Sequence, residues 1–252
     1  MTFFETRELT KSFNGLTAVD NVSVSIREGE LVCVIGPNGA GKTTFVNLVT
    51  GMLEPTSGEV LFEGTDVTGS DPHEITQAGI SRSFQTASLF TNLTVEENVK
   101  VAALAAEQGS FRVNFFRRLD AYPAVTERAQ ALLERFNLVA DRNMDTGSLS
   151  YGDKRRLELA VAMANDPRLI FMDEPTAGMS PEETQATTEL IKSIQEERTM
   201  GAVMIEHDMD LVFDLADRIV VLNRGEIIAK GTPGEIREHP EVQEAYLGGV
   251  KQ

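Results

Sequence analysis

Three short stretches of the chain are apolar without a break: Leu31-Val32-Cys33-Val34-Ile35, Leu169-Ile170-Phe171-Met172 and Ala202-Val203-Met204-Ile205. Runs of four or five such residues suit strands buried on both faces of a parallel sheet. Other segments are patterned differently. Val22, Val24 and Ile26 are separated by Ser23 and Ser25, which predicts one half-buried strand. Phe45, Leu48, Val49 and Met52 recur at helical spacing, as do Val125, Ala129, Leu132, Leu133 and Phe136. Ile219-Val220-Val221-Leu222, the turn Asn223-Arg224-Gly225 and Glu226-Ile227-Ile228-Ala229 predict a hairpin.

Turn and cap residues punctuate this pattern. Asn14-Gly15, Glu28-Gly29-Glu30 and Glu54-Pro55-Thr56-Ser57-Gly58 read as turns, and Glu59-Val60-Leu61-Phe62 as a strand. Asp71-Pro72-His73-Glu74, Thr94-Val95-Glu96-Glu97, Ser180-Pro181-Glu182-Glu183 and Thr232-Pro233-Gly234-Glu235 each carry helix-start residues, the last predicting one final helix. Ile80-Ser81-Arg82-Ser83-Phe84-Gln85 reads as a strand ending on a polar residue. Residues 107–123 are the least regular part, with Phe111, Phe115, Phe116 and Tyr122 among Arg112, Arg117 and Arg118.

The bulk numbers narrow the class. The chain has 252 residues, 41% hydrophobic and 25% charged, as expected of a globular protein with a substantial core. Its net charge of −16 argues against a general nucleic-acid surface, and that outweighs the aromatic and basic residues of 107–123. Those residues read better as a loop or helical hairpin that packs on the domain or on a partner. The one cysteine, Cys33, permits no internal disulfide and falls in a predicted core strand. No secretory signal stands at Met1-Thr2-Phe3-Phe4-Glu5, and no apolar run approaches the roughly 20 residues of a membrane span.

The candidate chemistry begins where the first buried strand ends. Gly36-Pro37-Asn38-Gly39-Ala40-Gly41-Lys42-Thr43 fits G-x-x-x-x-G-K-[ST], between a strand and a helix as that pattern requires. Its glycines let backbone N–H groups face a phosphate, and the helix start adds its dipole. Lys42 is placed to reach the β/γ-phosphates and Thr43 to hold Mg²⁺. Asp173 and Glu174 close another buried strand, where charge is costly without a task. Beside a phosphate loop, Asp173 can serve the metal and Glu174 can take a proton from an attacking water. His207 follows a third such strand, at the sheet edge where ligands bind. Ser150 and Gly152 open a helical pattern, either as a plain N-cap or as a second anion site. From the residues alone, Phe13 reads as a core aromatic and Gln85 as a polar strand end. No Asn-Lys-x-Asp motif for guanine occurs.

In this order the motifs resemble those of the ATP-binding subunits of ABC transporters, over nearly the whole chain. The resemblance implies an α/β P-loop NTPase (RecA-like) core, an N-terminal antiparallel β subdomain and an inserted α-helical subdomain at about 86–165, within one cassette spanning 1–252. It makes Gly36 to Thr43, with Thr44, the Walker A loop that binds ATP. It makes Phe13 the adenine-stacking aromatic, Gln85 the Q-loop glutamine and a metal ligand, Asp173 the Walker B ligand of Mg²⁺, Glu174 the base and His207 the switch histidine. Ala177-Gly178-Met179-Ser180 fills the D-loop. Leu149-Ser150-Tyr151-Gly152-Asp153 stands where the signature Leu-Ser-Gly-Gly-Gln would be, departing from it at Tyr151 and Asp153. The Tyr-bearing signature, Glu-Pro-Thr-Ala-Gly-Met-Ser and the ending Pro240-Glu241-Val242-Gln243-Glu244-Ala245-Tyr246-Leu247-Gly248 are similar to those of branched-chain amino acid importers. Urea or amide importers and lipopolysaccharide-type exporters are the alternatives, with a soluble non-transport ABC protein as a more distant one. The implied partners are a second copy or a related ATP-binding subunit, and integral membrane permeases that hold the chain on the inner face of the cell membrane.

Overall fold

Asn14 and Gly15 both have positive φ, 46° and 93°. That is the backbone of a tight two-residue hairpin, and it joins β1 (Phe4–Phe13) to β2 (Leu16–Val22). The computed structural model describes residues 2–83, 89–108, 122–197 and 199–247. Gln85 and most of the irregular stretch around 107–123 therefore lie outside the described residues. β1 also pairs with β3 (Ser25–Ile26) and β5 (Ser57–Phe62), and β5 pairs with β6 (Thr65–Asp66). All these pairings are antiparallel, forming one five-stranded sheet.

The expected single strand through Val22, Val24 and Ile26 is split in two. Burial alternates as the pattern implied, with all three inside. The ladder breaks because the Thr6 hydroxyl takes its place, donating to the Val22 carbonyl at 3.0 Å and accepting from the Val24 N–H at 3.0 Å. The predicted turn over 54–58 ends early, since Ser57 and Gly58 already belong to β5.

The second sheet is built from the continuous apolar runs. β4 (Leu31–Ile35), β8 (Leu169–Asp173) and β9 (Gly201–Ile205) are buried at every position. With β7 (Ile80–Ser83), β10 (Arg218–Asn223) and β11 (Glu226–Gly231) the order is β11-β10-β4-β9-β8-β7. Only the β10–β11 hairpin is antiparallel. Alternate residues of these strands face different cores. Val32, Val34, Phe171 and Ile205 pack toward the antiparallel sheet and helix α1 (Lys42–Val49). There Phe4 meets Phe171 edge-on at 5.8 Å, tying the two sheets together. Leu31, Cys33, Ile35 and Met204 pack toward the helices on the other side.

Those helices include α3 (Val95–Gln108), α4 (Pro123–Arg135), α5 (Tyr151–Met163) and α6 (Pro181–Glu196). α2 (Pro72–Ala78) precedes them, and α7 (Met209–Leu215) follows β9. Met52, expected on the first helix, lies beyond it and is exposed. Gly51 turns the chain away at φ 71°. The single last helix is in fact two, α8 (Pro233–Glu238) and α9 (Pro240–Leu247), because Pro240 cannot continue the first and starts the second.

Candidate functional site

In the parallel sheet Val34 of β4 pairs with Ile205 of β9, and Ile205 pairs with Asp173 of β8. The register thus brings the carboxyl ends of three strands to one edge. From β4 the chain bends through Gly36 to Gly41. A Cβ on Gly36 would overlap the Leu222 carbonyl oxygen, and one on Gly41 would overlap that of Ala18. Gly41, at φ 101°, is the N-cap of α1. Ala40 is buried and its carbonyl accepts from the Gly225 N–H at 2.9 Å, which ties the bend to the β10–β11 hairpin. Pro37 is half-buried, whereas Asn38, Gly39 and Thr43 are exposed and Thr44 is half-buried.

Lys42 curls over this bend. Its Nζ donates to the carbonyls of Gly36 at 2.7 Å and Pro37 at 3.1 Å. Burial pulls its pKa below the usual lysine value, and the charges of Glu174 and Asp173 push it back up. The two acids that close β8 are therefore electrostatic neighbours of this lysine.

Asp173 is 2% exposed at its side chain and paired with Arg82 of β7, Nη2 to Oδ2 at 3.0 Å. The other guanidinium nitrogen of Arg82 donates to Asn47 Oδ1 on α1 at 2.6 Å. Glu174 adopts φ 48°, a left-handed conformation that few non-glycine residues take. Its N–H is held by the Ile205 carbonyl at 2.9 Å. Its Oε1 lies 3.0 Å from His207 Nε2. His207 is in turn fixed by its backbone, whose N–H donates to Glu206 Oε2 at 3.0 Å. Buried Glu206 also accepts from the hydroxyl and N–H of Thr176, at 2.5 and 3.2 Å. Asp208 caps α7 through the N–H groups of Asp210 and Leu211.

Ser150 and Gly152 stand apart from this group. Among the described residues no hydrogen bond or ion pair joins either to Lys42, Asp173 or Glu174. Ser150 is the N-cap of α5; its Oγ accepts from the Asp153 N–H at 3.1 Å and donates to Asp153 Oδ2 at 2.7 Å. Arg156 holds the other Asp153 oxygen. Glu183 closes a capping box with Ser180 at the start of α6 and also accepts the Gly152 N–H. The Ser180 N–H and hydroxyl, then the Gly152 N–H, hold the Glu183 carboxyl below its usual pKa. A Cβ on Gly152 would overlap that carboxylate, and a Cβ on Gly178 would touch the Tyr151 ring at 3.4 Å.

Phe13 is no core residue: it is 41% exposed, with Lys11 Nζ 5.2 Å from its ring centroid. Gln85 lies outside the described residues. Arg82, Asn47, Glu206 and Glu183 escaped the sequence reading. The available signals were slight: a charge inside a strand pattern for Arg82, and an acid directly after a buried strand for Glu206.

The glycine-lined bend between a buried strand and a helix, with acids arriving from a nearby parallel strand, defines a P-loop nucleoside triphosphatase. The family described as "ABC transporter" matches residues 19–177, and the one described as "Branched-chain amino acid ATP-binding cassette transporter" matches 226–251. A Pseudomonas aeruginosa protein named "High-affinity branched-chain amino acid transport ATP-binding protein BraF" is 41% identical over 251 residues, covering 97% of each chain. The solved ADP conformation of MJ1267, an ATP-binding cassette of an ABC transporter, superposes with TM-score 0.87 at 30% identity, covering 98% of this chain and 99% of that one. The dimeric post-hydrolysis cassette MJ0796, bound to ADP and Pi, gives TM-score 0.77 at 27% identity, covering 91% and 98%. The chain belongs to the ABC transporter family, as an ATP-binding cassette with ATPase activity.

Proposed function

We propose that this chain grips and hydrolyses ATP to drive import of branched-chain amino acids through membrane permeases. The observation that carries the reading is the meeting of Lys42, Asp173, Glu174 and His207 at one sheet edge, with Glu174 Oε1 3.0 Å from His207 Nε2. The bend from Gly36 to Gly41 offers N–H groups to the phosphates, and exposed Phe13 offers a ring face to adenine. Lys42 leaves the carbonyls of Gly36 and Pro37 for the phosphate oxygens, trading two neutral acceptors for charged ones. Glu174 takes the proton of the attacking water, and His207 holds that carboxylate in place and reaches the γ-phosphate.

Mg²⁺ fits the donors present: the Thr43 hydroxyl and Asp173 carboxylate are hard oxygen ligands, and such sites are completed by substrate phosphates and water. Thr43, Asp173 and Gln85 would hold it, and it would neutralise phosphate charge. Ser150 and Gly152 serve the ATP of a second subunit, a copy of this chain or a related one, packed head to tail. The MJ0796 dimer supports such a pairing in the family.

The groove of about 170 Å³ lined by Thr50, Met52, Ile75, Ser81 and Ala102 receives a permease segment, and Gln85 with the helical region of about 86–125 passes motion to it. That attachment places the chain on the inner membrane face; among the described residues no helix is long and apolar enough to cross a membrane. The match over 226–251 and the names of the relatives support the solute class.

Glu174→Gln tests the hydrolytic reading: turnover falls about 10²–10⁴-fold while ATP still binds. Hydrolysis at the wild-type rate removes Glu174 as the base. Co-purified membrane subunits whose ATPase rises with leucine, isoleucine or valine support the transport reading, and a complex indifferent to all three contradicts it.

A further inference from the structure

Arg82 lies on β7, level with Phe171 of β8 and two residues short of Asp173. Its long side chain runs forward to the strand ends. There the guanidinium bridges two elements: Asn47 on α1 and Asp173 at the tip of β8. Both ends of the Asp173 pair are shielded, at 10% and 2% exposure. In such a dry site a bond between charged groups is strong, and an arginine fork fixes direction as well as charge.

We propose that Arg82 is a positioning residue for Asp173, and so for the divalent cation that accompanies the nucleotide. By occupying Oδ2 it fixes the carboxylate's rotamer and leaves Oδ1 for a metal ion or its water. By holding Asn47 it ties that carboxylate to α1, four residues beyond Thr43. The two proposed metal ligands, Thr43 and Asp173, are thereby kept in register by one planar group. A lysine cannot bridge both partners, since its charge is a point and not a fork. Partners that orient a metal ligand typically matter about 10–100-fold for metal affinity.

The inference rests on the proposed reading of Asp173 as a metal ligand, and its test keeps the two separable. Thermal unfolding of the full chain is followed with saturating ADP while Mg²⁺ is titrated, and again with ADP in EDTA. Wild type gains stability with Mg²⁺, and Asp173→Asn does not. In Arg82→Gln the half-effective Mg²⁺ concentration rises about tenfold or more, while the ADP effect in EDTA is unchanged. Arg82→Lys lies between the two, and Asn47→Ala shifts the midpoint less than Arg82→Gln. A folded Arg82→Gln with the wild-type Mg²⁺ midpoint overturns the proposal. So does an equal loss of ADP binding with and without the metal, which marks a packing role. If Arg82→Gln does not fold, Arg82→Lys with the wild-type midpoint overturns it in the same way, and a raised midpoint supports it. If Mg²⁺ leaves wild type unchanged, or Asp173→Asn responds like wild type, the metal reading fails and this inference with it.

Discussion

The two regions proposed to face phosphate are wired in opposite ways. At the bend and acid strands, opposite charges already face one another: Lys42 lies in the field of Glu174 and Asp173, Asp173 is paired with Arg82, and Glu174 touches His207. At the start of α5, the groups suited to an anion are covered by the chain's own anions. Asp153 holds the Ser150 hydroxyl, and Glu183 holds the Gly152 N–H. A helix start attracts negative charge from whatever source is near. A region that works within one chain can be built complete. On the proposed reading, the region offered to a neighbour's phosphate is filled here by this chain's own carboxylates.

The contrast can be broken at its built side. Glu206→Ala leaves the hydroxyl and N–H of Thr176 and the N–H of His207 without their acceptor. Abandoning buried donors costs about 1–3 kcal/mol, to be read as a lower midpoint in urea unfolding, with a fall in turnover as His207 loses its anchor. An unchanged midpoint and rate would show that this buried acid merely fills space.

It can be sharpened at the covered side. Glu183→Gln removes the charge that shields Gly152, so ATP-driven association with the partner subunit becomes about two- to fivefold easier, the scale of a charge at a helix start. The Glu183 pKa lies below its ordinary value, so the stability it adds is present above the usual carboxylate range and is lost as pH falls through its folded value. At neutral pH the cover is fully in place, and the comparison belongs there. Weaker association in the variant would make Glu183 a support of the interface and not its cover. A smaller effect is expected within β4, at Cys33. Burial, then the charges of Glu206 and Asp217, push the Cys33 thiol up. Iodoacetamide at about pH 8 should label the unfolded chain and leave the folded one intact; rapid labelling of the native protein would mean that β4 opens.

Much of the frame was legible because local signals agreed with the fold. Asn14-Gly15 announced a turn and Asn223-Arg224-Gly225 a hairpin, and the three unbroken apolar runs became fully buried strands. The split at Val22–Val24 was hidden because it depends on the Thr6 side chain, which reaches in from another strand. At the site, motif order named Lys42, Asp173, Glu174 and His207. It could not show that β9 lies between β4 and β8, nor that β7 brings Arg82 to Asp173. Strand neighbours are fixed by tertiary packing, so partners drawn from them carry no local signature. The Glu183 contact was hidden likewise, because its Ser180 box reads as an ordinary helix start.

The central claim is that one side of this chain grips a triphosphate unaided while the other waits for a partner. Titrating ATP into dilute single chains, followed by calorimetry, tests it directly. Lys42→Ala should weaken binding about 10–100-fold, the worth of a charge-assisted contact, and Ser150→Ala should bind as wild type does. Equal weakening in both variants, or none in Lys42→Ala, would contradict the claim.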